Sequence, residues 1–223
     1  MRFPLIAYIA FGSILAPFIL SLAFLDRFQR GTRPLIVLFG AYSAVLVTQR
    51  ILGSQGINNL WTSHLYNVLE VVLVLHVFSM WLASKRTQRV YRATMLLYMT
   101  LWLSAKIFWE AFDVPGMTTP VISRVVLLAS SLHVLFVITA TDSERPLMSE
   151  PRFWYAGGFL VSAAGSLMFY ALRTVMDAFP LDDAYRVFTI NWTIITLSNL
   201  MFVVGILCKP RVRNSGGQLE LAP

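Results

Sequence analysis

The amino-acid sequence predicts an all-α, polytopic membrane protein with seven transmembrane helices. Only 13% of its 223 residues are charged and 57% are hydrophobic, whereas soluble domains carry about 25% charged residues. Apolar runs of bilayer length follow one another along the chain, with short polar connections between them. The net charge of +7 lies in these connections rather than in one basic patch, so a nucleic-acid-binding protein is not expected.

Seven segments approach the roughly 20 apolar residues that a helix needs to cross the hydrocarbon core of a bilayer. They lie near residues 4–25, 34–53, 60–84, 93–112, 119–141, 153–173 and 186–208. The first could be a signal peptide, because Ser21-Leu22-Ala23 imitates a cleavage site, but its length and Pro17 favour a retained span. We therefore expect one seven-helix transmembrane domain over residues 1–208 and a short cytoplasmic tail over residues 209–223.

Basic residues occupy every second connection, which predicts the orientation in the membrane. They are Arg27, Arg30, Arg33, Lys85, Arg86, Arg89, Arg92, Arg145, Arg152, Lys209, Arg211 and Arg213. Lysine and arginine concentrate in cytoplasmic connections, so the N-terminus is expected outside and the C-terminus inside. The predicted location is the bacterial inner (cytoplasmic) membrane, with the lipid bilayer as the main partner.

Polar side chains collect in the outer halves of the predicted spans. At 1.5 Å per residue, His64 lies about 6 Å and Glu70 about 15 Å inside the third span. Charged side chains within a span cost about 2.5–3.5 kcal/mol each, so they usually face the bundle interior. The candidate ligand-binding residues are His64, Tyr66, Asn67, Glu70, Lys106, Glu110, Arg124 and Asn191.

Two interpretations of this polar cluster stay open. In the first, the charges pair with one another and only fix the fold, since Lys106 and Glu110 are helical neighbours and the stem of Lys106 could reach Glu70. In the second, a water-accessible cavity binds a small polar or anionic ligand, which the excess of cations would suit. The leading hypothesis is a receptor-like or sensory module that relays to a partner membrane or cytoplasmic protein.

The alternative functions rest on weaker patterns. Small residues every four positions, at Gly158, Ser162 and Ser166, form a face for close helix packing, which is more common within one bundle than between subunits. In an accessory subunit of a larger membrane complex, this face and the basic connections would instead contact neighbouring chains. No cofactor or metal is predicted and an enzyme is not the favoured hypothesis. Nevertheless, His76 and His133 lie at matching depths and could ligate b-type haem in a redox protein. A transmembrane zinc hydrolase would need more His and Asp ligands than these spans offer.

The stretch N-N-L-W-T-S-H-L-Y-N-V-L-E, residues 58–70, carries the motif N-x-W-x-x-H-x-Y-x-x-x-E. In this it resembles small seven-span proteins of environmental bacteria, in which the same pattern opens the third helix. The resemblance implies that His64, Tyr66 and Glu70 belong together. The topology alone is similar to that of rhodopsins and receptors, but the seventh span has no lysine for a retinal Schiff base.

Overall fold

The computed structural model describes residues 4–29, 31–141, 146–173, 181–208, 211–213 and 219–221. Within these residues the chain forms α1 (Leu5–Ala23), α2 (Pro34–Ser54), α3 (Leu60–Trp81), α4 (Lys85–Phe108), α5 (Thr118–Thr141), α6 (Pro151–Arg173) and α7 (Leu181–Leu207). Short 3-10 turns cover Leu25–Arg27 and Leu147–Ser149. In the tail, β1 (Arg211–Arg213) pairs antiparallel with β2 (Leu219–Leu221). Apart from this short hairpin, the predicted all-α class is confirmed.

Six of the described helices, all except α4, are long and apolar enough to cross a membrane. This indicates a multi-pass membrane protein, as predicted. Helix α4 begins at Lys85 rather than near residue 93, because the Ser84 hydroxyl accepts a hydrogen bond from the Thr87 amide at 3.4 Å and caps the helix. The basic residues Lys85, Arg86, Arg89 and Arg92, which the sequence analysis placed in a connection, therefore belong to the first turns of α4.

The helices pack as a ring with one helix outside it. Helices α1, α2, α3, α5, α6 and α7 contact one another in that order, and α7 packs back against α1. Helix α4 packs mainly against α3 and more weakly against α5. Helix α3 therefore contacts both ring neighbours and α4, and half (50%) of its apolar span is buried.

The apolar core lies where α3 meets the opposite side of the ring. Val71, Val74 and Phe78 of α3 are fully buried, and the Phe78 ring packs edge-on against Phe159 of α6. Large apolar side chains such as Leu97 and Phe136 stay exposed on the outer surface of the bundle. Such an outer surface is compatible with lipid, because lipid tails need no polar partner.

Candidate functional site

One half of the helix ring encloses a cavity of about 320 Å³. It lies at the end of the ring where α3 and α5 begin and where α2 and α6 end. On α7 its wall runs from Asn191 to Phe202, a length of about 16 Å at 1.5 Å per residue. Pro115 and Gly116, in the loop between α4 and α5, also line it. The cavity thus occupies the half of the bundle in which the sequence analysis located the polar cluster.

Aromatic rings form much of the cavity wall. The Phe202 ring lies 5.3 Å from that of Phe39 and 4.8 Å from that of Phe159, between ring centroids. In another part of the wall, the rings of Tyr42 on α2 and Tyr66 on α3 stack with their centroids 5.0 Å apart. These separations are typical of favourable aromatic contacts, so this part of the wall is a packed surface.

Glu70 of α3 and Arg124 of α5 form an ion pair that borders the cavity. Arg124 Nη1 donates to Glu70 Oε1 at 3.0 Å, and Nη2 donates to Oε2 at 2.5 Å. Only 5% of Glu70 and 8% of Arg124 is exposed. The two parallel bonds match the planar guanidinium fork to the carboxylate. The Nε of Arg124 is buried without a hydrogen-bond partner.

The second group of charges lies beside the cavity and is organised by His64. Lys106 Nζ donates to Glu110 Oε2 at 3.0 Å and lies 2.9 Å from His64 Nδ1. The other ring nitrogen of His64, Nε2, lies 3.0 Å from the Val114 carbonyl oxygen. A neutral imidazole with its proton on Nε2 satisfies both contacts, because Nδ1 then accepts from the lysine and Nε2 donates to the carbonyl. His64 therefore connects α3, α4 and the loop that carries Pro115 and Gly116.

Glu110, in the loop beyond the end of α4, caps the start of α5. Its Oε1 accepts from the amides of Thr118 and Thr119 at 2.6 and 3.0 Å, and its Oε2 accepts from the Thr119 hydroxyl at 2.6 Å. Burial opposes ionisation of Glu110, but the hydrogen bonds from Thr119, Lys106 and Thr118 outweigh it and lower its pKa from 4.5 to about 2. The carboxylate thus stays charged at the positive end of the α5 dipole.

Asn67 joins three helices at the edge of the cavity. Its Nδ2 donates to the Ser123 hydroxyl of α5 at 2.8 Å, and its Oδ1 accepts from the Tyr98 hydroxyl of α4. Asn67 itself lines the cavity. Helix α4 therefore reaches residues of the cavity wall through two polar contacts, Tyr98 with Asn67 and Lys106 with His64.

Most of the residues selected from the sequence meet at this site. His64, Tyr66, Asn67, Glu70, Arg124 and Asn191 line the cavity, whereas Lys106 and Glu110 lie behind His64. Lys106 bonds with Glu110, as one interpretation expected, but its suggested contact with Glu70 is not formed. Within the described residues, Glu70 accepts from Arg124 instead, because the bidentate guanidinium satisfies both carboxylate oxygens at once.

Sequence reasoning missed several uncharged polar residues of the cavity wall. They are Tyr42, Gln49, Ser63, Ser162, Ser166, Tyr170, Ser198 and Asn199. Ser162 and Ser166 were noticed as part of a small-residue face and interpreted as helix packing. That interpretation holds for Gly158, which packs against Phe202, whereas the two serines line the cavity. On α7, the polar spacing of Asn191, Ser198 and Asn199 was a usable signal of an inward face.

The two histidines of the haem hypothesis lie on the outside of the bundle. Both His76 and His133 are exposed, and His133 Nδ1 lies 2.9 Å from the Tyr91 hydroxyl. Neither lines the cavity. Among the described residues no group of three or more His, Cys, Asp or Glu is placed to hold a metal ion. Haem binding stays an alternative hypothesis, which the visible absorption spectrum of the purified protein tests.

Comparison of the chain with protein-family models, with curated proteins and with solved structures gave no match.

Proposed function

We propose that this chain is a receptor-like or sensory membrane module that binds a small polar molecule in the cavity and relays binding to a partner protein. The observation that carries the proposal is a cavity of about 320 Å³ bordered by the buried ion pair of Glu70 and Arg124. Ligand pockets have volumes of about 300–1,000 Å³ and combine an apolar lining with a few convergent polar groups. This cavity fits that description at the small end of the range.

The polar wall of the cavity has an energetic cost that packing alone does not require. Removing a carboxylate and a guanidinium from water costs several kcal/mol per ion, and well-packed apolar residues often stabilise a fold equally well. Ionisable groups inside a membrane domain are accordingly associated with ligand and ion sites. Glu70 and Arg124 face a cavity rather than a close-packed core, which supports a role in binding.

Helix α4 is the element that would carry the signal. Its Tyr98 and Lys106 bond to Asn67 and His64, both of which line the cavity. A change in either cavity residue on binding would therefore act on a helix that packs outside the ring. The opposite end of α4 presents its basic residues, such as Arg89, at the surface. We propose that a partner protein contacts this end of α4 and responds to a change in its position.

We further propose that α4 is the seventh span and that the cavity opens on the outer side of a bacterial inner membrane. Helix α4 has 24 residues, about 36 Å at 1.5 Å per residue, which is enough to cross a hydrocarbon core of about 30 Å. The distribution of lysine and arginine among the connections supports an outside N-terminus and an inside C-terminus.

The test of binding is a cavity-filling substitution on α6. We expect protein purified in mild detergent to retain a small molecule that mass spectrometry detects after extraction. Ser162→Phe should abolish this retention, because the phenyl group fills the cavity that Ser162 lines. Ala164→Phe is the matched control, since Ala164 lies on the same helix but is exposed. It should retain the molecule as the wild type does.

Other outcomes would favour another function. Identical small-molecule contents in the wild type and both variants would show that nothing occupies the cavity. If the native protein then co-isolated with many other chains, the accessory-subunit hypothesis would replace ligand binding. A Soret absorption band would instead support the haem hypothesis.

A further inference from the structure

The charges that border the cavity balance one another. Among the described residues, the side chains with a formal charge in its wall are Glu70 and Arg124, and they are bonded to each other. Both nitrogens of the His64 ring are occupied, by Lys106 and by the Val114 carbonyl. Lys106 itself, with 3% of its side chain exposed, is held by Glu110 outside the cavity wall. The described part of the wall therefore offers no unpaired cation to bind an anionic group.

Apart from the buried Nε of Arg124, the unused hydrogen-bonding capacity of the described wall is uncharged. Within the described part of the chain, Ser162, Ser166 and Asn191 are among the side chains that line the cavity without a hydrogen bond of their own. They lie on α6 and α7, and α6 packs directly against α5, the helix that carries Arg124. Two hydroxyls and one carboxamide can donate to or accept from a carbonyl or amide group, and they do not neutralise a charge.

The remaining wall favours a flat apolar body. Phe39, Phe159 and Phe202 cluster at the deep end, and Phe169 and Tyr170 of α6 also contribute to the wall. Aromatic rings gain additional energy from contacts with other rings at centroid distances of about 4.5–7 Å. An aromatic group in the cavity would find such partners on several sides.

We propose that the cavity takes a small molecule without net charge that joins an aromatic ring to a carbonyl or amide group. This inference rests on the proposed binding function and names the chemical class of the ligand. A net charge would enter a low-dielectric space whose two charges already pair with each other, so its desolvation would not be offset. An uncharged polar group loses less hydration and meets Ser162, Ser166 and Asn191.

The experiment compares three probes that share one ring and differ in charge. They are 3-phenylpropionamide, 3-phenylpropionate and 3-phenylpropylamine, measured at neutral pH by equilibrium dialysis against the full-length protein in detergent after removal of retained small molecules. We expect the amide to bind at least about tenfold more tightly than either ion, the ratio that one lost hydrogen bond of moderate strength produces. Equal or tighter binding of an ion would overturn the inference.

Substitutions on α7 locate the amide in the cavity. Asn191→Leu removes a polar side chain that lines the cavity and should weaken amide binding about tenfold. Thr193→Val is the matched control, because Thr193 is exposed on the same helix, and it should leave the affinity unchanged. Equal affinities of both variants and the wild type would place the probe elsewhere and contradict the proposal.

Failure of this inference can be separated from failure of the proposed function. If no probe binds, or if the preferred probe is charged, the proposed ligand class is wrong. In that case the loss of a retained molecule in Ser162→Phe, but not in Ala164→Phe, would still support binding in the cavity. If retention fails as well, the binding function itself is wrong.

Discussion

Glu70 and Arg124 are 54 positions apart in the chain and bind each other through two parallel hydrogen bonds. The energy of such a pair depends on which partner is changed. Attraction between the buried charges roughly offsets their desolvation, so the intact pair contributes little net stability. Removing one partner leaves the other charge buried without compensation. The cavity wall is thus sensitive to a single substitution here and much less sensitive to a neutral replacement of both residues.

The first prediction concerns this asymmetry. Glu70→Gln should lower the free energy of unfolding by about 3–5 kcal/mol, because Arg124 keeps its charge in a buried place. The double variant Glu70→Gln/Arg124→Gln should be less destabilised than Glu70→Gln alone. Unfolding by denaturant in detergent micelles measures both.

The control for this prediction is the ion pair near the start of α6. Arg152 Nε lies 2.6 Å from Glu150 Oε1, but 35% of the Arg152 side chain is exposed. Glu150→Gln should therefore change the free energy of unfolding by no more than about 1 kcal/mol. A double Glu70/Arg124 variant as unstable as Glu70→Gln would show that the hydrogen bonds, rather than the charge balance, stabilise this wall.

At the scale of helices, α6 and α7 form a very close contact of the ring. A Cβ atom added to Gly158 would lie 2.4 Å from Phe202 Cε1, and one added to Gly165 would lie 2.2 Å from Ile194 Cγ2. Small residues let helices in membranes approach closely, because apolar association there relies on packing rather than on release of water. These glycines bring α7 close enough to complete the cavity wall.

The second prediction uses alanine at two helical glycines. Gly165→Ala should lower the free energy of unfolding by about 1–3 kcal/mol, because the new methyl group overlaps Ile194. Gly12→Ala in α1 should instead raise it by up to about 1 kcal/mol, since alanine favours the helix. In the described part of the chain, no atom outside the adjoining residues and backbone of α1 lies within 4 Å of the Cβ position at Gly12.

The same unfolding assay measures both glycine variants. A stabilised Gly165→Ala protein would mean that α6 and α7 separate at no cost, and the close contact would then not define the cavity. If Gly12→Ala lowered the free energy of unfolding, the expectation that a methyl group fits at this position without a clash would be wrong.

At the scale of the whole molecule, six apolar helices of the described chain close a ring and α4 packs against its outside. The ring gives the bundle an interior in which a cavity can persist, and α4 packs against the outside of this ring, mainly on α3. The loop over residues 109–117 connects α4 to the cavity, because Glu110 caps α5 and Gly116 lies against His64. A Cβ atom at Gly116 would approach His64 Cε1 to 2.7 Å.

The third prediction tests the orientation and the crossing by α4. Single cysteines are introduced into a Cys208→Ser background and labelled with a membrane-impermeant maleimide. Cysteines at Gln55 and Asp113 should react in intact spheroplasts, whereas cysteines at Gln29 and Lys85 should react only after permeabilisation. All four positions are exposed in the structure.

Lys85 is the first residue of α4 and Asp113 lies beyond its other end, so this pair decides whether α4 crosses the membrane. Reaction of both cysteines from one side would show that α4 does not cross. The inverse pattern at all four positions would reverse the predicted orientation and place the cavity on the cytoplasmic side.

Much of the fold follows from local sequence alone. The apolar runs predicted all seven helices, and most of their ends are correct within a few residues, because the length of a span and its flanking polar residues are local properties. The error at α4 is also local, since the capping hydroxyl of Ser84 extends that helix through its basic residues. The gathering of ionisable groups at one end of the bundle could be deduced from depth along each helix.

Only the tertiary structure decided which of these residues meet. Depth along a helix gives no rotation about its axis and no order of helices around a ring, so the sequence left Glu70 with Lys106 as a possible partner instead of Arg124. For the same reason, the spacing of Ser162 and Ser166 predicted a helix-packing face, whereas in the structure both serines line the cavity and the glycines of α6 make the close contact with α7. Contacts between residues distant in sequence are set by the packing of whole helices, which no local pattern records.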